Sequence, residues 1–299
     1  METGMETKTA MITLAGRPNV GKSTLINALA GEKIAIVTNK PQTTRSRIFG
    51  VVNRGDTQLI FVDTPGFHKA KTRLGDYMVG IVRQSVADVD AVALVVEPIA
   101  NVGTPEHMLL NHIASAAVPA ILIINKIDNV KKASLLEVMA AYSAFYEFDA
   151  IIPVSAKFGA GLDDLFKVLE GYAVRGPKLF PDNAVTDQPD KLIIAELVRE
   201  KLLICLDREV PHGIAVEIAR FHERDDGIID VDAVIYCERD RHVGIIIGKG
   251  GLMLKTVGER ARADIERFLG AQVFLQMWVR VKDGWRDNNF LIKELGYPF

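Results

Sequence analysis

An α/β domain with a mostly parallel sheet and one antiparallel edge, followed by a smaller α+β domain, is the architecture this sequence predicts. Three observations carry it. Residues 8–174 alternate short apolar, β-branched runs with stretches of helical periodicity, the pattern of a parallel sheet covered by helices. Beyond a proline-rich break the order becomes helix, strand, strand, helix, glycine turn, helix, strand. At 299 residues, 48% of them hydrophobic, the chain is also too long for one ordinary core and has apolar material for two.

The elements follow in order. Strand 10–14 runs unbroken toward Gly16, and helix 22–30 starts where the glycine-rich turn stops. Strands 48–53 and 58–62 flank Arg54-Gly55-Asp56, a hairpin-like turn that makes them the antiparallel edge. Helix 74–86 repeats Leu74, Met78, Val82 and Val86 at helical spacing. Strands 91–96 and 120–124 are continuous apolar runs, as burial on both faces requires, and helix 105–116 between them opens on Pro105. Helix 133–145, strand 150–154 and helix 162–169 complete the first domain, 8–174. Pro177, Pro181 and Pro189, among Gly, Asp and Asn, mark 175–190 as a linker. In the second domain, 191–299, helix 192–205 precedes strands 213–221 and 228–237, whose in-out alternation predicts a half-exposed sheet. A helix, glycine turn and helix over 243–268, strand 272–281 and a short helix near 285–291 end the chain.

Composition excludes several classes. The apolar run 116–124 contains Pro119 and falls well short of the ~20 residues of a membrane span. The N-terminus lacks the apolar stretch of a signal peptide, and its doubled Met-Glu-Thr reads as a loose tail with an alternative start at Met5. Cys205 and Cys237 sit in apolar segments and read as buried free thiols, so the expectation is a cytoplasmic protein without disulfides. The six histidines form no ligand spacing. Whole-chain charge, 36 Lys+Arg against 38 Asp+Glu, argues against nucleic acid as a partner. Resolved by segment, it reverses. Residues 241–286 hold nine basic side chains, Arg241, Lys249, Lys255, Arg260, Arg262, Arg267, Arg280, Lys282 and Arg286, against four acidic ones.

The chemistry-bearing motifs lie in the first domain. Gly16-Arg17-Pro18-Asn19-Val20-Gly21-Lys22-Ser23 joins a strand to a helix, the context a phosphate loop demands. Its backbone N–H groups and the helix N-terminus would face phosphates, with Lys22 adding charge and Ser23 a hydroxyl ligand for Mg²⁺. Asp63-Thr64-Pro65-Gly66 ends a strand; the carboxylate can hold Mg²⁺ through water and the Gly66 N–H can meet a γ-phosphate. Asn125-Lys126-Ile127-Asp128 lies past a buried strand, where such folds bind ligands. A carboxylate at 128 accepts from guanine N1–H and its amine, which adenine cannot match, and this disfavours an ATPase. Ser155-Ala156-Lys157 offers a backbone N–H toward guanine O6.

This ordered set, with Thr43-Thr44, resembles a translation-factor-class GTPase. The strings Lys40-Pro41-Gln42-Thr43-Thr44-Arg45, Asp63-Thr64-Pro65-Gly66-Phe67-His68 and Phe180-Pro181-Asp182-Asn183-Ala184-Val185-Thr186-Asp187-Gln188 resemble the GTPase Era family, over almost the whole chain. The resemblance implies a P-loop GTPase domain that binds GTP and GDP through 16–23, Thr24, 63–66, Asn125, Lys126, Asp128 and 155–157. It makes Thr43 and Thr44 switch I, with Thr44 on Mg²⁺ and the γ-phosphate. Ser23, Thr44 and Asp63 become the metal ligands, and Lys22, Thr44 and Gly66 the catalytic groups. Phe67 departs from Ras-like enzymes, which place a water-orienting Gln near that position, and a phenyl ring cannot orient a nucleophile. Slow intrinsic hydrolysis is expected, helped by the switch loop, a partner, or K⁺ near Asn19; plain packing of Phe67 on the sheet is the alternative.

In the second domain, Val243-Gly244-Ile245-Ile246-Ile247-Gly248-Lys249-Gly250-Gly251-Leu252 resembles a KH domain, and its place after two strands resembles the type II arrangement. Two glycines let an RNA backbone approach, and the following helix N-terminus with Lys249 favours phosphate. Gly248, Lys249, Gly250, Gly251, Arg241 and Lys255 are the RNA-binding candidates. Trp278 and Trp285 are open between base stacking and core. The family resemblance further implies single-stranded RNA near the 3′ end of 16S rRNA, small-subunit maturation, a monomer, and association with the inner face of the membrane as an open possibility. The competing reading is a GTP switch whose second domain docks on a protein or membrane surface.

Overall fold

A computed structural model describes residues 7–40, 42–67, 72–87, 89–207 and 210–297. The tail at 1–6, Pro41 and His68 therefore lie outside the described residues. Described residues within 1–35, 44–69 and 78–187 form one compact unit, and those within 36–43, 70–77 and 188–299 a second.

β1 (Lys8–Ala15), α1 (Lys22–Ala30), β2 (Ile48–Arg54), β3 (Thr57–Asp63), α2 (Arg73–Ala87), β4 (Ala91–Val96), α3 (Thr104–Ala116), β5 (Ala120–Ile124), α4 (Lys132–Ser143), β6 (Ala150–Pro153) and α5 (Leu162–Glu170) follow in order, all in the first unit except the start of α2, whose residues before Met78 belong to the second. The sheet runs β2-β3-β1-β4-β5-β6. Only β2 pairs antiparallel along this path, through the Arg54–Thr57 turn, so the predicted antiparallel edge is the observed one. Alternation along the strands sorts side chains onto two faces. Ala91, Ala93, Val95, Ile121 and Ile123 pack with Leu25, Ile26 and Leu29 of α1 and Leu165 and Leu169 of α5. Val92, Leu94, Val96, Leu122 and Ile124 pack with Val82 of α2, Leu109 and Ile113 of α3 and Val138 and Tyr142 of α4. The C-terminal edge of this doubly covered sheet is where the motif loops emerge.

The proline-rich stretch does not leave the sheet at once. Val174–Arg175 forms β7, antiparallel to β1, and the Val51 N–H donates to the Val185 carbonyl at 2.9 Å. Buried Gln58 accepts from the Leu179 and Phe180 N–H groups at 2.8 and 3.0 Å and donates to the Phe180 carbonyl at 2.9 Å. A buried amide left unpaired would cost ~1–3 kcal/mol, so Gln58 holds this segment along the sheet edge.

The second unit contains α6 (Asp190–Cys205), β8 (Ala215–Glu223), β9 (Ile229–Cys237), α7 (Asp240–Ile247), α8 (Leu252–Leu269), β10 (Val273–Val281) and α9 (Asn289–Glu294). Its sheet order is β10-β9-β8, with β8 antiparallel and β10 parallel to β9. Ile194 and Val198 of α6, Val257, Ala261 and Ile265 of α8, and Val231, Ala233 and Ile235 of β9 form one core. β8 alternates half-buried with exposed residues beyond Val216, as the sequence predicts, and β10 does likewise. β9 departs from the expected alternation, with seven of its nine residues buried, because it is the central strand and is covered by a neighbour on each side. The two tryptophans separate: Trp285 is fully buried and donates from Nε1 to the Gly213 carbonyl at 3.0 Å, so it is core, whereas Trp278 on β10 is 42% exposed. Cys205 and Cys237 are both free; Cys237 is buried as expected, but Cys205, at the end of α6, is only half-buried.

Candidate functional site

The loop between β1 and α1 curls because its backbone allows it. Gly21 sits at φ +99°, and a Cβ there would lie 2.3 Å from the Asn125 amide nitrogen, so no larger residue fits. Lys22 bends back over the loop, donating from Nζ to the Gly16 and Arg17 carbonyls at 3.0 and 3.1 Å. Burial pushes its ammonium down to about 8, with the Asp63 charge opposing that shift. The loop holds a cation where solvation is poor, an arrangement suited to an anionic ligand.

Ser23, Thr44 and Asp63 converge beside it. The Ser23 hydroxyl donates to Asp63 Oδ2 at 2.7 Å and lies 2.9 Å from Thr44 Oγ1. Asp63 Oδ1 is buried without a hydrogen-bond partner, and burial pushes this carboxyl above its ordinary range, Lys22 and the hydroxyls opposing. One orphaned carboxylate oxygen and two hydroxyls around one point are hard oxygen donors, and they fit Mg²⁺. Next along the chain, Thr64 donates to the Leu14 carbonyl at 2.8 Å and Pro65 is buried. Gly66 lies so close to the phosphate loop that a Cβ would sit 2.6 Å from Pro18 Cα. Thr43 belongs to the second unit, and its hydroxyl donates to the Lys40 carbonyl at 2.6 Å.

The Asn125 side chain joins three loops. Its amide donates to the Val20 carbonyl at 2.9 Å, and its oxygen accepts from the Ala156 N–H at 3.0 Å. Ser155 donates to Asp128 Oδ1 at 2.5 Å, which fixes the exposed carboxylate at the mouth of the site. Lys126 donates to the Asn19 carbonyl at 2.6 Å. Thr24 lies half-buried on α1, and Lys157 is exposed over the Phe158 ring. The structure thus gathers the motifs of the first unit along one sheet edge, with Lys157 exposed.

Phe67 is 3% exposed and packs edge-on to His112 of α3, ring centroids 6.1 Å apart, while its N–H donates to the Gly16 carbonyl at 3.1 Å. The ring belongs to the core on that face of the sheet, so the packing alternative describes it.

In the second unit, α7 ends at Gly248, and the turn 248–251 leads into α8. Gly250 and Gly251 have φ +59° and +80°, and no atom lies within 4 Å of a Cβ built on either. Lys249 within this open turn and Lys255 in the first turn of α8 are exposed, as is Arg241 at the far end of α7. A backbone bearing phosphates can reach the open turn without displacing a side chain.

Residues 11–126 match the family of 50S ribosome-binding GTPases and residues 209–286 the KH domain. The GTPase Era of Ruminiclostridium cellulolyticum is 46% identical over 293 residues, 98% of each chain, and that of Alkaliphilus metalliredigens 47% identical over 294 residues, 98% of this chain and all of its own. The chain belongs to the GTPase Era family. A solved structure of Era in complex with MgGDPNP and nucleotides 1506–1542 of 16S ribosomal RNA is 36% identical and superposes with a TM-score of 0.94, covering 98% of this chain and 100% of its own. An Aquifex aeolicus Era variant bound to GDP·AlF4⁻ matches with the same identity, TM-score and coverage. Like other members of the Era family, this chain is a GTPase. Sequence reasoning missed two acidic residues in its nucleotide site, Glu97 after β4 and Glu106 on α3, which contact Lys126 and Arg17. Their only sequence signal is position, one at the ligand-binding edge of the sheet and the other in the first turn of the following helix.

Proposed function

We propose that this chain is a GTP-driven switch. Residues 8–174 bind and hydrolyse GTP, and 191–299, joined through 175–190, grip single-stranded RNA near the 3′ end of 16S rRNA during small-subunit maturation. The observation that carries the RNA part is the full-length likeness to an Era crystallised with MgGDPNP and that RNA. The open turn at 248–251, with exposed Lys249 in it and exposed Lys255 and Arg241 on the two helices it joins, supports it.

In the first domain, 16–21 wrap the phosphates, Lys22 neutralises them, and Ser23, Thr44 and Asp63 hold Mg²⁺. Bound there, Mg²⁺ neutralises charge on the β- and γ-phosphates. The Gly66 N–H meets the γ-phosphate, and Asp128, set by Ser155, reads guanine while Ala156 offers its N–H to O6. Thr43 acts through its place in switch I. With Phe67 committed to the core, no side chain at that position orients water, so intrinsic turnover is slow. K⁺ beside Asn19 supplies part of the missing stabilisation. Turnover at equal ionic strength is expected to be faster in potassium than in sodium; equal rates would remove the cation. The protein works in the cytoplasm as a monomer. Among the described residues no helix is long and apolar enough to cross a membrane.

Crosslinking in cells tests the RNA reading. Recovery of 3′-terminal 16S rRNA on residues 243–252 is the expected result. Recovery of no RNA there, with the chain held instead on a protein or on membranes, would overturn it.

A further inference from the structure

Two carboxylates that lie outside the nucleotide motifs connect to the phosphate loop, Glu106 directly through Arg17 and Glu97 by way of Lys126. Glu97 directly follows β4, and its Oε1 accepts from Lys126 Nζ at 2.7 Å. The same ammonium donates to the Asn19 carbonyl at 2.6 Å. Asn19 has φ +66°, a left-handed conformation that is uncommon for a non-glycine residue and that asparagine tolerates better than most. Two residues earlier in the loop, the Arg17 guanidinium pairs with Glu106 of α3, itself only 1% exposed. Buried Tyr142 of α4 lies within the field of both carboxylates; burial first and then Glu106 push its hydroxyl up to about 12, so it stays protonated in neutral solution.

We propose that Glu97 is a positioning residue for guanine-nucleotide binding. It holds the Lys126 ammonium on the Asn19 carbonyl, so that the phosphate loop and the base-reading loop close as one unit, and Glu106 anchors the same loop at Arg17. A lysine ammonium is a point charge on a flexible four-carbon stem, and one neutral carbonyl does not fix it. A charge-assisted bond is roughly twice as strong as a neutral one, and the second, anionic partner supplies the direction. Neither carboxylate lies among the phosphate-facing groups. Their effect therefore falls on how long the nucleotide stays, not on the chemical step. The Glu97 and Lys126 side chains are 31% and 34% exposed, so salt weakens this brace, whereas buried Glu106 is shielded.

The inference rests on the nucleotide reading of the site, and the test separates the two. Release of mant-labelled GDP and steady-state GTP turnover are measured on the full chain. Glu97→Gln keeps the side-chain shape and removes the charge. It is expected to raise the mant-GDP off-rate and the KM for GTP by about five- to tenfold, the scale of one charge-assisted hydrogen bond at a partly exposed site. Expected alongside are a kcat within about twofold and an unchanged Tm, because the residue acts on binding alone. Lys126→Met is expected to raise the off-rate and KM at least as far, and adding Glu97→Gln to it to change the off-rate no further, since the two residues act through one contact. A Glu97→Gln off-rate equal to wild type, a change in Tm without a change in off-rate, or additive effects would each overturn the brace. A wild-type chain that fails to bind mant-GDP would overturn the nucleotide reading itself.

Discussion

Replacing Asp128 by Asn is expected to lower GTP and GDP affinity by about 10²–10³-fold and to raise the relative affinity for xanthosine nucleotides. The carboxylate is an acceptor at both oxygens, one already taken by the Ser155 hydroxyl at 2.5 Å. Guanine presents N1–H and an amine, two donors, to such a group, and a hydrogen bond to a charged partner is worth ~1.5–3 kcal/mol. The amide of Asn turns one acceptor into a donor that faces the guanine amine, whereas xanthine carries a carbonyl at that position and pairs with it. Competition of GTP, XTP and ATP against a labelled nucleotide measures the switch. The fold should survive, because the residue is exposed and lies in a short turn after β5. Unchanged preference for GTP would mean that Asp128 does not read the base.

Charge reversal in the glycine turn is expected to have the second large effect. Lys249→Asp combined with Gly250→Asp should reduce affinity for a 16S rRNA 3′-end oligonucleotide by about 10²-fold or more, by removing a phosphate partner and adding repulsion where the backbone must approach. Lys249 is exposed and no atom lies within 4 Å of a Cβ on Gly250, so neither substitution displaces the core, and the cost is local backbone strain from an Asp held at φ +59°. Fluorescence anisotropy reads the RNA affinity, and GTP turnover without RNA serves as the control for intact folding. RNA affinity that survives both changes would move the binding surface elsewhere.

Much of this was legible in the sequence, for physical reasons that differ by element. Strands 91–96 and 120–124 coincide with β4 and β5, because strands buried on both faces are continuous apolar runs with no competing reading. Helix 22–30 coincides with α1 because Gly21 and Gly31, both left-handed, bracket it. The two-residue β7 left no trace, since a bridge that short has no periodicity of its own. Trp278 and Trp285 read alike in sequence. The second is buried through the distant Gly213 carbonyl and stacking on Tyr297, partners that only tertiary structure brings near. Glu97 and Glu106 were invisible for the same reason. A lone carboxylate becomes informative only when the fold places Lys126 or Arg17 against it.

The same split explains the charge arithmetic. A near-neutral chain hides the basic segment 241–286, because acidic residues elsewhere cancel it in the sum and cannot cancel it in space. The whole-chain balance limits nonspecific attraction to nucleic acid, which leaves affinity to depend on a shaped site.

The most direct test of the central claim is the affinity of the full chain for a 16S rRNA 3′-end oligonucleotide, measured with Mg²⁺ at fixed salt in the presence of a non-hydrolysable GTP analogue and again with GDP. Tight binding with the analogue and distinctly weaker binding with GDP is the result expected of a nucleotide-driven RNA switch. Equal affinity in the two states would contradict the switch, and no binding in either would contradict the RNA.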